Sequence, residues 1–199
     1  MLKLKRIAVT GGVASGKTSV CRVFQELGAF VVNADAIVHE LLSPNTSLGR
    51  QVIRLLGNDI LIDGKLGRRM IADKVFENPE ALHALEKLLH PAVLHKIEEL
   101  YQAACHRGAY TAFVVESPLL FEIGQDKFYD MVVTVLADEA VSRERFCKAG
   151  FNPGEYERRM KRQLLPREKA RRADYVINNN GSLDSLREQV IGLNNQQIA

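Results

Sequence analysis

Ile7-Ala8-Val9-Thr10-Gly11-Gly12-Val13-Ala14-Ser15-Gly16-Lys17-Thr18 is the stretch on which the reading of this chain turns. It begins in a short β-branched run over Lys5 to Thr10, too brief for a helix, that stops at two glycines. Val20, Val23, Phe24 and Leu27 then recur at helical spacing up to Gly28, so the order is strand, glycine-rich loop, helix, C-terminal stop. Gly11 to Thr18 fits the pattern G-x-x-x-x-G-K-[ST]. Between a strand and a helix, such a loop turns backbone N–H groups and the positive end of the helix dipole toward an anion, and its glycines let phosphate oxygens approach. Gly11, Gly12, Val13, Ala14, Ser15 and Gly16 are therefore expected to cradle the phosphates of ATP. Lys17 would pair with the β- and γ-phosphates, and Thr18 would offer a hydroxyl oxygen to a bridging Mg²⁺.

Working outward, Phe30 to Asn33 reads as a second buried strand that delivers Asp35 to its carboxyl end. Tyr110 to Val115, Met131 to Leu136 and Tyr175 to Asn178 are further short apolar runs rich in β-formers, with helical segments between most of them. Strands alternating with helices predict an α/β fold: a five-stranded, mostly parallel sheet flanked by helices, with ligands beyond the carboxyl ends of its strands. From Ser43 to Gly108 the marked elements are helices. Asn78 is placed to cap one that has Pro79 at its first position, and Pro91 is expected to open the next, which runs to Gly108. The predicted organisation is a core of residues 1–42, 109–138 and 173–199, a helical insertion over 43–108, and a lid over 139–172.

Phosphoryl transfer needs an acceptor held in line, a group to take its proton, and positive charge along the path of the phosphoryl. At a strand exit, the Asp35 carboxylate can reach an acceptor hydroxyl, or it can cap a helix. Glu116 ends the apolar run Phe113-Val114-Val115, where an acid can hold Mg²⁺ through water or simply face solvent. Arg143, Arg159 and Arg162 follow the fourth strand, with Gly150, Pro153 and Gly154 as joints. Their planar forks suit phosphate oxygens, and each can equally be a helix-face charge. His90, before Pro91, fits a ligand contact or a structural role.

Composition narrows the classes. The chain has 199 residues, 46% of them hydrophobic and 26% charged, which is enough for one folded core with an appended region. Net charge is +3, yet Arg158 to Arg172 holds eight Lys/Arg against one Glu, so the remainder is net acidic and the positive charge is local. That stripe fits nucleotide phosphates, nucleic acid or a solvated face. No guanine-reading N-K-x-D motif is present, which argues against a GTPase switch. Cys21, Cys105 and Cys147 are odd in number and form no C-x-x-C pair, arguing against disulfide frameworks and zinc sites. The first residues show no secretory pattern and no apolar run reaches membrane-spanning length, so the expectation is a cytoplasmic protein without a membrane partner.

Taken in order, these landmarks resemble the dephospho-coenzyme A kinases, a family of P-loop small-molecule kinases, over about Ile7 to Val190. Thr10 to Thr18 is similar to that family's doubled-glycine loop, and Asn33-Ala34-Asp35 to its D-A-D segment. Leu56-Gly57 through Asp63-Gly64, Arg68, Val75-Phe76 and His90-Pro91 resemble its acceptor-binding region. Glu116-Ser117-Pro118-Leu119-Leu120-Phe121-Glu122 resembles its D-V-P-L-L-F-E signature, Arg143 and Arg159 with Gln163 its lid, and Ala173-Asp174 with Ile177 to Gly181 its closing motif. The resemblance implies transfer of the ATP γ-phosphoryl to the ribose 3′-hydroxyl of dephospho-CoA, with Asp35 as general base. It further implies that Thr10, Arg68, His90, Pro118 and Leu119 help seat the acceptor, and that Arg143 and Asn179 border ATP. The expected form is a monomer or weak homo-oligomer with no nucleic-acid partner. A nucleoside or nucleotide monophosphate kinase is the alternative. Asn33 and Glu116 stand where the family pattern has aspartates, Gly67 where an Asp commonly precedes the Arg, and Cys147 or Lys148 where a second lid Arg is common.

Overall fold

A computed structural model describes residues 3–76 and 78–198, without the side chains of Arg68 and Phe76. In chain order its strands are β1 (Lys5–Gly11), β2 (Phe30–Asn33), β3 (Leu61–Ile62), β4 (Lys65–Leu66), β5 (Ala112–Glu116), β6 (Met131–Leu136) and β7 (Tyr175–Asn178). The helices are α1 (Lys17–Glu26), α2 (Ala34–Leu41), α3 (Ser47–Leu56), α4 (Arg68–Phe76), α5 (Pro79–Arg107), α6 (Glu139–Lys148), α7 (Pro153–Met160), α8 (Pro166–Arg172) and α9 (Leu183–Gln197). The chain divides into two compact units, one built from residues up to Asn33 and from Ala103 onward, the other from Ala34 to Gln102.

The first unit holds a fully parallel five-stranded sheet in the order β2-β5-β1-β6-β7. Its central strands are short apolar runs because both faces are covered. Ile7 and Val9 point to one face and pack with Val20, Phe24, Val114, Val133 and Val190, while Ala8 points to the other with Leu120, Phe121 and Val132. A fully buried side chain such as Phe24 contributes roughly 1.5–3 kcal/mol through area removed from water. The register aligns Val9 and Asn33 with Glu116, Thr10 with Thr134, and Leu136 with Asn178, so all five strands end along one edge. β1 carries its loop to that edge between β5 and β6, the place where ligands of such sheets bind.

The second unit has its own core of Val52, Leu56, Ile60, Ile71, Val75 and Leu85. Two features differ from the sequence expectation. A small antiparallel hairpin, β3–β4, turns through Asp63 and Gly64, both at positive φ (48° and 73°), which is the conformation an Asp-Gly hairpin turn favours. The second is Pro91: Asn78 caps α5 as expected, accepting from the N–H groups of Glu80 (3.0 Å) and Ala81 (3.1 Å), but Pro91 lies inside that helix instead of opening another. Proline removes one backbone hydrogen bond. Against that loss, buried Leu85, Val93, Ile97 and Tyr101, with half-buried Leu89 between them, continue one stripe at four-residue spacing through the proline. The helical unit begins at Ala34 and so takes in α2.

Candidate active site

The phosphate loop joins β1 to α1 in a backbone path that few residues tolerate. Gly11 (φ 146°) and Gly16 (φ 100°) lie in left-handed territory, and Ala14 (φ 53°) does so despite its side chain, at a cost of about 1–2 kcal/mol. Space is as restrictive as torsion. A Cβ at Gly11 would come within 2.3 Å of the Val135 carbonyl oxygen, and one at Gly16 within 2.0 Å of the Asn179 side-chain amide. That amide donates to the Ser15 carbonyl at 2.8 Å, so the exit of β7 holds the loop in shape. Gly16 is the N-cap of α1, and no cap side chain competes with an anion for the first-turn N–H groups. Lys17 is only 9% exposed and donates to the carbonyls of Gly12 (2.7 Å) and Gly11 (3.2 Å), which keeps its ammonium over the loop.

At the end of β5, Glu116 is 6% exposed, and both of its oxygens are engaged. Oε1 accepts from the Thr18 hydroxyl at 2.9 Å and Oε2 from the Asn33 amide at 3.0 Å, so side chains from the loop helix, β5 and β2 meet on one carboxylate. An amide at position 33 can donate to this acid, whereas a carboxylate there would repel it. Beneath the site, burial and the charge of Glu116 push the Cys21 thiol far above its usual range, so it stays protonated and unreactive. Thr10 lies at the same edge, its hydroxyl 3.5 Å from the Pro118 carbonyl, and Leu119 beyond it is 40% exposed.

In the segment expected to form a lid, residues 139–172, the arginines are held in different ways. Arg143 donates from Nε to Glu139 at 2.9 Å, pairs with Glu157, and lies over the Tyr156 ring at 4.9 Å. Its guanidinium thus ties α6 to α7, and its proton is held more firmly by these glutamates. Arg159 is gripped by Glu155 and by the rings of Phe151 (5.0 Å) and Phe146 (5.4 Å). Arg145, not singled out in the sequence reading, donates from Nη2 to the Asn179 side-chain Oδ1 at 3.5 Å and leaves Nη1 buried with no hydrogen-bond partner among the described residues. Beside the loop lies a cavity of about 100 Å³ lined by Gly12, Val13, Ser15, Ala137, Tyr156 and Pro166.

The dephospho-CoA kinase family profile matches residues 5–185. A dephospho-CoA kinase of Chlamydia pneumoniae is 46% identical over 191 residues, covering 96% of this chain and 95% of its own. The chain belongs to the dephospho-CoA kinase family. Among solved structures, dephospho-CoA kinase from Campylobacter jejuni superposes with a TM-score of 0.70 at 26% identity, covering 96% of both chains. TT1252 from Thermus thermophilus superposes with 0.84 at 28% identity over the full length of both.

In this chain the remaining expected acceptor residues fall in the helical unit. Asp35 occupies the first turn of α2, exposed, and its carboxylate caps no helix among the described residues. His90 lies within α5, and Arg68 begins α4 with its side chain outside the described residues. Spacing alone does not separate Arg143 from Arg145. Ser142 and Phe146 define the buried face of α6, and at about 100° per residue the two arginines flank that face on opposite sides. Which flank meets the loop depends on how α6 docks. Thr18 and Glu116 suit Mg²⁺: a hydroxyl and a carboxylate, both hard oxygen donors, already adjoin at the foot of the loop.

Proposed function

We propose that this member of the dephospho-CoA kinase family transfers the γ-phosphoryl of ATP to the ribose 3′-hydroxyl of dephospho-CoA, giving coenzyme A and ADP. The observation that carries the reading is the phosphate loop with Lys17 over it and Thr18 tied to the strand-end acid Glu116. When the triphosphate enters, Lys17 exchanges the Gly11 and Gly12 carbonyls for β- and γ-phosphate oxygens, trading neutral acceptors for charged ones. Thr18 and Glu116 would hold Mg²⁺, which when bound neutralises charge on the phosphoryl group in flight. Asn179 keeps the Ser15 carbonyl turned away from the anion, and Arg145, beside Asn179 with one unpartnered NH group, completes the positive wall. Arg143 braces the lid from its outer side.

Asp35 takes the proton from the acceptor hydroxyl; being exposed and without a partner among the described residues, it is available for that. Among the described residues no helix is long and apolar enough to cross a membrane. We place the enzyme in the cytoplasm.

The test is to incubate the purified protein with Mg-ATP and separately with dephospho-CoA, nucleoside monophosphates and nucleosides, and to identify products by mass. Coenzyme A is the expected product. A phosphorylated nucleoside monophosphate with no coenzyme A would overturn the assignment. Asp35→Asn is expected to lower turnover on the order of 10²–10⁴-fold with ATP affinity unchanged, and wild-type turnover in that variant would remove Asp35 from the mechanism.

A further inference from the structure

Behind the turn that follows β5 lies an ion pair that the reaction itself does not use. Lys169, on α8, is fully buried, and its ammonium contacts Glu122 Oε1 at 2.9 Å and the Pro118 carbonyl at 2.5 Å. The same Oε1 atom accepts from the Leu164 N–H at 2.7 Å, just ahead of α8, while the other oxygen of Glu122 is buried without a partner. The Lys169 carbonyl in turn accepts from the hydroxyl of Thr134, a buried residue of β6, at 3.3 Å. Lys169 and Glu122 together therefore tie three segments: the ammonium holds the turn after β5 to α8, the carboxylate holds the residue ahead of α8, and the Lys169 carbonyl holds the sheet.

Burying a lysine is expensive, and its desolvation lowers the lysine's proton affinity even with Glu122 beside it. A methionine of similar length would fill the space at less cost, and a carboxylate with one oxygen unsatisfied is not tuned for stability. Directionality is what a hydrocarbon cannot supply. An ammonium with three donors fixes where the Pro118 carbonyl stands, and with it the turn whose Leu120 and Phe121 are buried while Leu119 is presented to solvent.

We infer that Lys169 and Glu122 are positioning residues for the acceptor, holding the Ser117–Phe121 turn against the lid stem so that the turn takes its acceptor-seating shape when α8 is docked. This rests on the dephospho-CoA kinase reading above. The hydrogen bonds of the pair run to the turn after β5, Leu164 and Thr134, so its removal should be felt by the acceptor more than by ATP.

The experiment compares wild type with the double variant Lys169→Met/Glu122→Gln, which removes both charges and keeps the volume, with KM measured for each substrate. Expected are a KM for dephospho-CoA raised about tenfold, a KM for ATP within about twofold, and a melting temperature at or above that of wild type. Unchanged KM values, or equal rises for both substrates, would overturn the inference. If the double variant does not fold, Glu122→Gln alone serves. It leaves an oxygen for Leu164 and Lys169 and should raise the acceptor KM about threefold while sparing ATP, and an unchanged acceptor KM there overturns the inference as well. A wild-type protein that ignored dephospho-CoA would sink both readings, whereas an active wild type with unaffected variants would sink only this one.

Discussion

The phosphate loop and the segment 139–172 hold their cations in opposite ways. Lys17 is buried, and it rests on main-chain carbonyls of its own loop. Arg143 and Arg159 are half-exposed and are held by glutamates from helix faces and by aromatic rings. A cation seated on backbone has its place set by local chain geometry. A cation seated on side chains takes whatever place helix docking gives it, in a setting where solvent screens each pair.

Substitutions can break or sharpen this contrast. Lys17→Ala should have the largest effect, lowering turnover on the order of 10²–10³-fold and weakening ATP binding, as read by steady-state kinetics and nucleotide titration. The two flanks of α6 come next. Arg145→Ala should raise the ATP KM about tenfold, the worth of a charged hydrogen bond, while Arg143→Ala leaves it within about twofold. Equal effects from the two would show that the flanks are not distinct. The smallest effect belongs to the outer face of α6, where Lys148 holds the Glu144 carboxyl below its ordinary value of 4.5. Because that pKa is lowered on folding, the pair's contribution is present above about pH 4.5 and is lost as pH falls through the lowered value. Glu144→Gln should therefore melt slightly below wild type at neutral pH in low salt, and the two melting curves should converge in acid.

The same contrast explains what could be read from the sequence. The five strands were legible because a strand covered on both faces must be a short apolar run, and β2, β6 and β7 fall where Phe30–Asn33, Met131–Leu136 and Tyr175–Asn178 were expected. The phosphate loop was legible because its motif specifies a backbone path. Pro91 was misread as a helix start because residue preference is local, while the stripe from Leu85 to Tyr101 that carries α5 through it is a property of packing. The β3–β4 strands are too short to show a period, although Asp63-Gly64 marked their turn. Arg145 and the Lys169–Glu122 pair depend on which helix flank meets which loop, and Lys169 sat unremarked within a stretch read as a basic stripe.

The fit between Gly16 and Asn179 has a consequence for how the motif should be understood. The amide of Asn179 occupies the volume a side chain at position 16 would need, and it braces the Ser15 carbonyl. A peptide spanning only β1, the loop and α1 would carry every letter of the motif and lack the wedge that gives it form. Competence to grip phosphate is thus assembled from both ends of the chain, and the first element written is finished by one of the last.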